Sequence, residues 1–500
     1  MVGQEPLMTE VPRVNVCLDE LKLIGVTGST TSTSEAPLIL LEGMEREVRE
    51  EDVVLVENLN GGLILAVCRR GVGVDDNLRV GSYSPGIAYV RSTGQAPSRA
   101  KESYHFTLSF IGVVEEAGVR SNDVIVAPGS RVYTFRGSQV NPLSFLKPPG
   151  GLEAGFLVRE PSWTIPFDPS FIPYHIGVFG ATGSGKSYLT RFLLIPLLQR
   201  AGYGILVLDW AGMDYAPFFN QGSVTSITEV ESSYDAFYSF LLERARNFGY
   251  RGESTLTTAL EEVLAEHWPS LRGSSTPGEL LEELKRLTED KLREEAAKGD
   301  QRSRRWIDVA LSRLERGLRR LALEEVEAFM GRLPVKDLIP ERGEVKVVDM
   351  HRASDSVKLS FFLTLSRELL LRMYRGEELN LALIVDEAPQ YCPFEPRGVQ
   401  VEVTDRLKDL CALGRKHKLC VVLISQGIAG EIGINAAIRR NLNTQFIGQV
   451  HPLDLEEAGK RLAPYGVKPE SLLFLEPGQF YFVGKMNPSP TPLLISFKVS

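Results

Sequence analysis

Short apolar runs separated by clusters of Gly, Asn, Ser and Pro dominate the first third of the chain. Runs of this length with turn residues between them are typical of strands in a small barrel or sandwich. A Pro- and Gly-rich stretch at 142–151 ends the pattern, so we assign residues 1–150 to an N-terminal β-barrel. The predicted strands are Val53–Glu57, Leu63–Val67, Ile87–Val90, Tyr104–Val114 and Asp123–Val126.

Beyond a second Pro-rich stretch at 161–173, continuous apolar strands alternate with segments of helix length. Strands without polar alternation are typical of a parallel sheet that is buried on both faces. We therefore predict an α/β core in two parts, residues 151–230 and 333–450. The predicted strands of this core include Gly204–Asp209, Glu344–Met350, Leu381–Val385, Leu419–Ser425 and Asn443–Val450, and its predicted helices are Ser187–Leu198, Ser356–Tyr374 and Val403–Leu413.

Residues 231–332, between the two parts of the core, show helical spacing and no strand signal. Apolar residues recur three or four positions apart from Leu280 to Leu287 and from Ile307 to Leu321, which predicts a helical-bundle insert of about four helices. A basic run crosses this insert, and we interpret it as a solvated helix face, with DNA contact as the alternative. The run comprises Arg302, Arg304, Arg305, Arg313, Arg316, Arg319 and Arg320.

The two ends of the chain carry no catalytic pattern. Residues 451–500 are assigned to a C-terminal extension that packs on the core or on a neighbouring subunit, with a helix near Leu453–Leu462 and strands at Gly478–Val483 and Leu493–Val499. In the predicted barrel, Arg69 and Arg70 are interpreted as a solvated surface pair, with DNA contact as the alternative. We expect the barrel to organise assembly or to bind a partner.

One segment of the core carries the chemistry of phosphate binding. A short apolar strand from Ile176 leads into Gly180–Ser187, whose sequence Gly-Ala-Thr-Gly-Ser-Gly-Lys-Ser fits the phosphate-binding loop, and a helix follows. Glycines allow backbone N–H groups to curl around phosphate oxygens, and the helix N-terminus adds partial positive charge. Lys186 is predicted to reach the β- and γ-phosphates of ATP. The predicted ATP-binding residues are Gly180, Ala181, Thr182, Gly183, Ser184, Gly185, Lys186, Ser187 and Tyr188.

Two further strand ends supply residue types that hydrolysis requires. Asp386 follows an apolar strand and suits an outer-sphere Mg²⁺ ligand, while Glu387 suits the base that polarises the attacking water. Gln426 ends a strand that we place beside the phosphate-loop strand, where a polar side chain can sense the γ-phosphate. The predicted catalytic residues are Lys186, Glu387, Asp386, Gln426 and Arg415, and the predicted Mg²⁺ ligands are Ser187 and Asp386.

Two assignments stay open at this stage. Arg415 is interpreted as an arginine finger that reaches the phosphates of a neighbouring subunit, or else as a charge that compensates a helix C-terminus. Arg439 and Arg440 are rival candidates for the finger. Asp209, at the end of an apolar strand, either faces the nucleotide or a working loop, or caps the local backbone.

Composition narrows the class of protein. A net charge of −8 argues against a wholly basic nucleic-acid coat, although it leaves room for a local basic channel. The five cysteines are scattered, odd in number and without a Cys-x-x-Cys pair, which argues against a zinc site or a disulfide framework. No apolar run reaches membrane-spanning length and the N-terminus lacks a signal pattern, so we expect a cytoplasmic protein without membrane contact.

The motifs Gly180–Ser187, Leu383–Ala388, Gly414–Lys416 and Ser425-Gln426, in this order and around a helical insert, resemble the HerA branch of the HerA/FtsK ATPases, archaeal members above all. The resemblance implies a RecA-like core, a homo-hexameric ring, and the same roles for Lys186, Asp386, Glu387 and Gln426. The chain departs from the family after Asp209, because members often carry Gly-Glu where this chain has Gly212, Met213 and Asp214.

The same resemblance implies an ATPase that moves or unwinds double-stranded DNA through the ring and acts with a NurA-type nuclease in resecting double-strand break ends. The loops Trp210–Gln221 and Tyr391–Gln400, with Arg397, are candidates for facing the DNA. Two alternatives are a protein or DNA export motor of the same superfamily and a nucleotide-gated clamp or scaffold for DNA or a nuclease. Glu387 argues against the clamp, because a clamp does not need a hydrolytic base.

Overall fold

A computed structural model of the chain describes residues 17–78, 85–95, 102–116, 118–297, 303–430 and 432–499, with residues 303–305 as backbone only. Contacts divide the described chain into two compact units. The first unit holds the residues up to Ser170, Gly183–Gly185 and the residues from Thr444 onward. The second unit holds Phe171–Thr182 and Lys186–Asn443.

The described residues contain eighteen strands and thirteen α-helices. The strands are β1 Lys22–Thr27, β2 Glu35–Leu40, β3 Val53–Glu57, β4 Leu63–Asp75, β5 Glu102–Glu115, β6 Gly118–Arg120, β7 Arg131–Thr134, β8 Leu152–Leu157, β9 Glu160–Phe167, β10 Ile176–Phe179, β11 Gly204–Asp209, β12 Val224–Ser226, β13 Val345–Asp349, β14 Leu381–Val385, β15 Leu419–Ser425, β16 Thr444–Ile447, β17 Phe480–Gly484 and β18 Leu493–Ser496. The helices are α1 Pro85–Thr93, α2 Lys186–Leu189, α3 Ile195–Arg200, α4 Tyr234–Arg244, α5 Thr255–Arg272, α6 Pro277–Ala297, α7 Ser303–Leu318, α8 Leu323–Glu327, α9 Asp355–Tyr374, α10 Ala388–Tyr391, α11 Val399–Gly414, α12 Ala436–Arg439 and α13 Leu455–Leu462.

Six strands of the first unit close into an antiparallel barrel. Around the barrel the order is β1, β2, β5, β4, β3, β7 and back to β1, while β6 pairs with β5 outside the closed ring. Residues two positions apart on β3 and β4, such as Val54, Val56, Ile64 and Ala66, point into one core, as the strand period requires. The predicted N-terminal barrel is therefore confirmed.

Two of the predicted barrel strands are wrong. Ile87–Val90 lies in α1, where Pro85 stands at the first helical position and its fixed φ suits a helix start. Asp123–Val126 forms no strand, because the Asn122 side chain donates to the carbonyls of Thr33 and Val124 and holds this segment in place of a strand ladder. Both segments have the apolar content of a strand. The Pro85 ring favours a helix in the first segment, and the Asn122 hydrogen bonds replace strand pairing in the second.

A second sheet of the first unit is built from distant parts of the chain. It runs β16-β17-β18-β8-β9, with every neighbouring pair antiparallel. The two C-terminal strands predicted from the sequence are confirmed as β17 and β18. The predicted helix near Leu453–Leu462 is confirmed as α13.

Arg69 is not a solvated surface residue, so that interpretation is wrong. Its side chain is 1% exposed and forms an ion pair with Glu51, which also accepts a hydrogen bond of 2.9 Å from the Tyr481 hydroxyl. Arg69 also donates to the carbonyl of Pro492 at 2.6 Å. A buried charge needs such partners, and here they join the barrel to the C-terminal sheet within the first unit.

The second unit is built on a six-stranded parallel sheet in the order β12-β13-β11-β14-β15-β10. The central strands β11, β14 and β15 are buried along their whole length, which confirms the predicted parallel, doubly covered type. Helix α9 packs against α11 and α4 beside this sheet. Because all the strands are parallel, their carboxyl ends meet at one edge, where ligands bind in open α/β sheets.

Helices α4 to α8 form a largely strand-free bundle between β12 and β13. Leu280, Leu284 and Leu314 are fully buried in it, as the helical spacing predicted. Within the basic run, Arg302 lies outside the described residues, as do the side chains of Arg304 and Arg305. Among the described helices, none combines the length and the apolarity needed to cross a bilayer.

Candidate functional site

The loop between β10 and α2 has the backbone geometry of a phosphate cradle. Gly183 and Gly185 adopt φ angles of +82° and +97°, in a region where side chains with a Cβ are strained. A Cβ on Gly185 would also lie 2.9 Å from the backbone nitrogen of Gly478, which donates to the carbonyl of Ser184. Both glycines are therefore required by the turn itself.

Lys186 begins α2 and folds back over the loop that precedes it. Its Nζ donates to the carbonyl oxygens of Gly180 at 2.9 Å and Ala181 at 3.1 Å. Burial lowers the pKa of Lys186, while the nearby carboxylates of Glu387, Asp386 and Asp214 oppose that shift. The ammonium thus lies in a partly buried site that is surrounded by acidic groups.

The helix after the loop contains a π-helical turn at Thr190–Leu194, between α2 and α3. Pro196 stands in the first turn of α3 and has no N–H to donate, which accounts for the local change in hydrogen-bond register. Ser187 and Tyr188 lie in the first turn, before the π-helical segment. The Tyr188 ring is exposed and packs 5.9 Å from the Phe192 ring.

Asp386 and Glu387 follow β14 directly, at the carboxyl edge of the parallel sheet. Asp386 is 4% exposed, and its Oδ2 atom has no hydrogen-bond partner among the described residues. Burial is the main cause that raises the pKa of Asp386 to about 8, and the neighbouring carboxylates of Glu387, Asp214 and Asp209 contribute to that shift. Glu387 has left-handed backbone angles, φ +48° and ψ +49°, which an L-residue rarely adopts outside functional sites.

Gln426 joins the phosphate loop to Glu387. It follows β15, which pairs with β10 in the register Phe179 beside Ser425, so the predicted placement beside the loop strand is confirmed. The Gln426 Nε2 atom donates to Glu387 Oε1 at 2.9 Å, and its Oε1 atom accepts from the Thr182 hydroxyl at 2.9 Å. Three segments distant in sequence thus meet in one hydrogen-bonded chain.

Asp209 caps a loop and does not stand free towards a ligand. It is fully buried, and its two oxygens accept hydrogen bonds from the backbone nitrogens of Gly212, Tyr215 and Ala216 at 2.9–3.0 Å. Burial raises its pKa, and the three backbone donors oppose that shift. Of the two interpretations left open for Asp209, the geometry favours the cap.

Asp214 was not among the predicted site residues, but the structure places it near the site. Its carboxylate acts electrostatically on Lys186 and Asp386, so it lies on the same edge of the sheet. The signal in the sequence is the short distance between Asp209 and Asp214. The loop after β11 returns to Asp209 at Tyr215, whose backbone nitrogen donates to the Asp209 carboxylate, so residue 214 lies close to the end of the strand. A carboxylate is present here, one methylene shorter than the Glu of the expected pattern.

The three candidate finger arginines lie in different environments. Arg415 lies in the turn before β15, exposed, with its guanidinium carbon 4.0 Å from the centre of the Tyr174 ring. Because Gln426 follows the other end of this seven-residue strand, Arg415 is separated from the hydrolytic edge of its own subunit by about 20 Å. Arg439 donates to the carbonyl of Ile428 at 2.7 Å, and Arg440 is exposed.

The two candidate DNA-facing loops begin at the same edge of the sheet. Trp210, at the start of the first loop, is buried against Tyr391, whereas Met213 and Phe218 further along are exposed. In the second loop, the Arg397 side chain is 87% exposed. Only parts of each loop can therefore meet a ligand.

The residues at this edge fit Mg²⁺ and the phosphates of ATP. The orphaned and buried Asp386 Oδ2 atom lacks the partner that a buried carboxylate needs, and a cation or its bound water would supply one. No cluster of three or more His, Cys, Asp or Glu side chains suited to a metal occurs in the described ranges. Mg²⁺ suits this composition, because it is usually held by one or two protein groups together with phosphates and water.

A glycine-rich strand-to-helix loop with its lysine and a following carboxylate pair on a parallel sheet define a P-loop nucleotide-binding protein of the α/β class. Residues 152–369 match the family described as "Helicase HerA, central domain". The matched residues include the phosphate loop and the helical insert. No curated protein matches the chain.

Several solved structures are similar in fold. VirB4 of Thermoanaerobacter pseudethanolicus is 18% identical with a TM-score of 0.49, covering 71% of this chain and 98% of its own. The plasmid coupling protein TrwB in complex with the GTP analogue GDPNP is 17% identical with a TM-score of 0.45, covering 67% and 88%. The genome packaging NTPase B204 from Sulfolobus turreted icosahedral virus 2, in complex with AMPPCP, is 13% identical with a TM-score of 0.33, covering 65% and 98%. At these levels the similarities say nothing about activity.

Proposed function

We propose that this chain is an ATPase that drives double-stranded DNA through a homo-hexameric ring with a RecA-like core. The observation that carries the proposal is the chain of hydrogen bonds from Thr182 through Gln426 to Glu387. A protein that only binds nucleotide does not need a hydrogen-bonded link between its phosphate loop and a candidate general base. A motor does, because the state of the γ-phosphate has to reach the moving parts.

The chain's own residues supply the hydrolytic step. Glu387 accepts a proton from the attacking water and orients it, while Gln426 holds the Glu387 carboxylate in position. Lys186 leaves the carbonyls of Gly180 and Ala181 and donates to the β- and γ-phosphate oxygens of ATP. Ser187 and Asp386 would hold Mg²⁺, which when bound neutralises charge on the phosphates.

An arginine from the neighbouring subunit completes the site in this proposal. Arg415 is the preferred candidate, because it is exposed and lies at the sheet end opposite its own hydrolytic edge. Arg439 is less suited, because its guanidinium is already bonded to the carbonyl of Ile428. A site completed only between subunits makes hydrolysis depend on ring assembly.

The biological role that we propose is resection of DNA double-strand break ends together with a NurA-type nuclease. The resemblance of the ordered motifs to the HerA branch supports this role, and the family match over 152–369 supports that resemblance. The closed barrel is the surface that we propose for the nuclease. The test is ATP-dependent shortening of linear duplex DNA when this protein and such a nuclease are mixed.

The experiment that tests the motor compares ATP turnover with and without linear duplex DNA. We expect DNA to stimulate the wild-type protein, and Glu387→Gln to lower turnover about a hundredfold or more while ATP still binds. Glu456→Gln is the matched control, because Glu456 is exposed on α13. No stimulation by DNA, together with normal turnover in Glu387→Gln, would overturn the proposal.

A further inference from the structure

The helical insert contains a cavity of about 240 Å³ that is lined by three arginines. Arg313 and Arg316 come from the last turns of α7, and Arg320 comes from the turn that follows it. Their spacing of three and four residues places the three side chains on one side of the helix. Phe248 and Gly249, in the connection between α4 and α5, also line the cavity.

The part of the lining that precedes α5 is a left-handed turn. Arg246, Asn247, Phe248 and Gly249 have consecutive φ angles between +50° and +78°. Backbone hydrogen bonds of 2.9–3.1 Å close the turn from residue 245 to residue 250. Non-glycine residues rarely adopt this conformation in succession, and it persists only where the surroundings hold it.

Helix α7 holds this turn in place. The Phe248 ring packs so closely on Gly317 that a Cβ there would lie 2.3 Å from the ring. Arg313 donates to the carbonyl of Gly249 at 3.2 Å, and its guanidinium carbon lies 4.2 Å from the centre of the Tyr250 ring. The cavity is therefore a built feature of the fold, maintained by specific contacts on both sides.

The arginines that line the cavity differ in pairing from other basic residues of the insert. Arg319, next to Arg320, is neutralised by Glu315 at 2.7 Å, and Lys291 and Arg286 have their own carboxylates. Within the described ranges, Arg313, Arg316 and Arg320 form no ion pair with a carboxylate. Three positive charges thus converge on one cavity without a compensating anion from the protein.

We propose that this cavity binds a backbone phosphate of duplex DNA, and that the insert is a second contact point for the DNA beside the loops of the core. The proposal rests on the proposed function. Guanidinium groups present several donors in a plane and match phosphate oxygens two at a time. Of the two interpretations of the basic run, solvated face and DNA contact, the structure assigns the first to Arg319 and the second to Arg316 and Arg320.

The test measures binding of the full-length protein to a short, labelled blunt duplex over a range of salt concentrations. For Arg316→Ala/Arg320→Ala we expect affinity to fall about tenfold and the slope of log affinity against log salt to flatten by about 0.9, the value for one phosphate. Arg319→Ala is the control and keeps wild-type affinity, because Glu315 already neutralises it. Turnover without DNA stays unchanged in both variants.

The outcomes separate this proposal from the motor itself. The double alanine variant could bind DNA with wild-type affinity and a wild-type salt slope while DNA still stimulates its ATP turnover. That result would overturn the role of the cavity without contradicting the proposed motor function. No binding or stimulation of the wild-type protein by duplex DNA would overturn both. In a second arm, inorganic phosphate raises the melting temperature of the protein, in part through the phosphate loop; a smaller rise in the double alanine variant than in the wild type, with DNA affinity intact, would mark a free-anion site and overturn the proposal.

Arg316→Lys/Arg320→Lys covers the case in which the alanine pair does not fold. Lysine keeps the charge and the helix but cannot form the planar two-point contact with a phosphate. We expect this pair to keep the wild-type salt slope and to bind DNA several-fold more weakly. Wild-type affinity in the lysine pair would contradict recognition by the guanidinium groups.

Discussion

Gln426 is the residue on which the candidate site depends most closely. Its amide is oriented from both sides, because Nε2 can only donate to Glu387 and Oε1 can only accept from Thr182. The Glu387 carboxylate is therefore held by a neutral donor in a backbone conformation that an L-residue rarely adopts. A change in the phosphate loop at Thr182 should reach Glu387 through this one side chain.

Replacing the Thr182 hydroxyl tests this connection. Thr182→Val removes the donor to Gln426 and leaves the amide free to turn, so we expect kcat for ATP to fall about tenfold, equivalent to roughly 1.4 kcal/mol, with little change in KM. Steady-state ATP turnover is the measurement. Thr182→Ser keeps the hydroxyl and is the matched control. Equal turnover in the valine and serine variants would argue that the contact does not serve catalysis.

His175 is a buried residue whose protonation should affect stability. It is 3% exposed and precedes β10. Its Nδ1 accepts from the backbone nitrogen of Val421 at 3.1 Å, and its other ring nitrogen lies 2.8 Å from the carbonyl of Cys411. These partners select the neutral form with the proton on Nε2. Burial lowers the pKa of His175 from its ordinary value of 6.5 to about 4.

A lowered histidine pKa sets the direction of the pH dependence. In the unfolded chain His175 binds a proton near pH 6.5, whereas in the folded chain it does so only near pH 4. The contribution of neutral His175 to the free energy of unfolding is therefore complete above pH 6.5 and is lost as the pH falls towards 4. The loss amounts to about 3 kcal/mol. His175→Gln retains a donor and an acceptor, so the melting temperature of this variant should fall less between pH 6.5 and pH 4 than that of the wild type. An equal fall in both proteins would show that other groups cause the loss of stability.

At the scale of elements, the pairing of a buried arginine with a buried glutamate connects β4 of the barrel with the C-terminal sheet. Arg69 lies at the end of an apolar run, and burial lowers its pKa to about 10. Its partners are Glu51, in the loop before β3, and the carbonyl of Pro492, directly before β18. The interaction is therefore a specific junction between segments more than 400 residues apart.

Breaking this buried pair on one side should cost more than removing it entirely. Arg69→Met leaves Glu51 buried and unpaired, which we expect to destabilise the first unit by about 3–5 kcal/mol. The double variant Arg69→Met/Glu51→Gln should recover much of that loss in thermal unfolding. Lys22→Ala is the control, because its pair with Glu47 is exposed and contributes about 1 kcal/mol at most. A double variant less stable than Arg69→Met would refute the account.

At the scale of the whole molecule, the position of Arg415 in the fold bears on whether the active site needs a second subunit. It lies at the amino end of β15, while Gln426 follows the carboxyl end. The subunit cannot bring this arginine to its own hydrolytic edge. The proposed finger thus requires a neighbour, and the ring becomes part of the catalytic unit.

Mixing two inactive variants tests the finger. Arg415→Ala and Glu387→Gln should each lose nearly all ATP turnover, because each removes one half of a shared site. In mixed assemblies some sites combine an intact Glu387 with an intact Arg415 from the next subunit, so we expect turnover to reappear. Lys416→Ala, one residue further on, should remain active. An Arg415→Ala protein with normal turnover would transfer the role to Arg439 or Arg440.

Much of the fold was predictable from local patterns. The runs Val53–Glu57 and Leu381–Val385 became strands with the predicted limits, because each is a short run rich in Val, Leu or Ile with Asn or Asp on both sides. Ile87–Val90 failed, since its apolar content was outweighed by Pro85 at a helix start. The phosphate loop was predictable because all of its chemistry lies in one short segment.

The sequence by itself determined the residue types of the site and their order, because motif chemistry is local. Only the tertiary structure decided which of them meet: the strand order places β15 between β10 and β14 and so brings Thr182, Gln426 and Glu387 together. It also decided that Asp209 caps a loop and that Arg69 is buried. Contacts between distant segments depend on packing and burial, which no local pattern specifies.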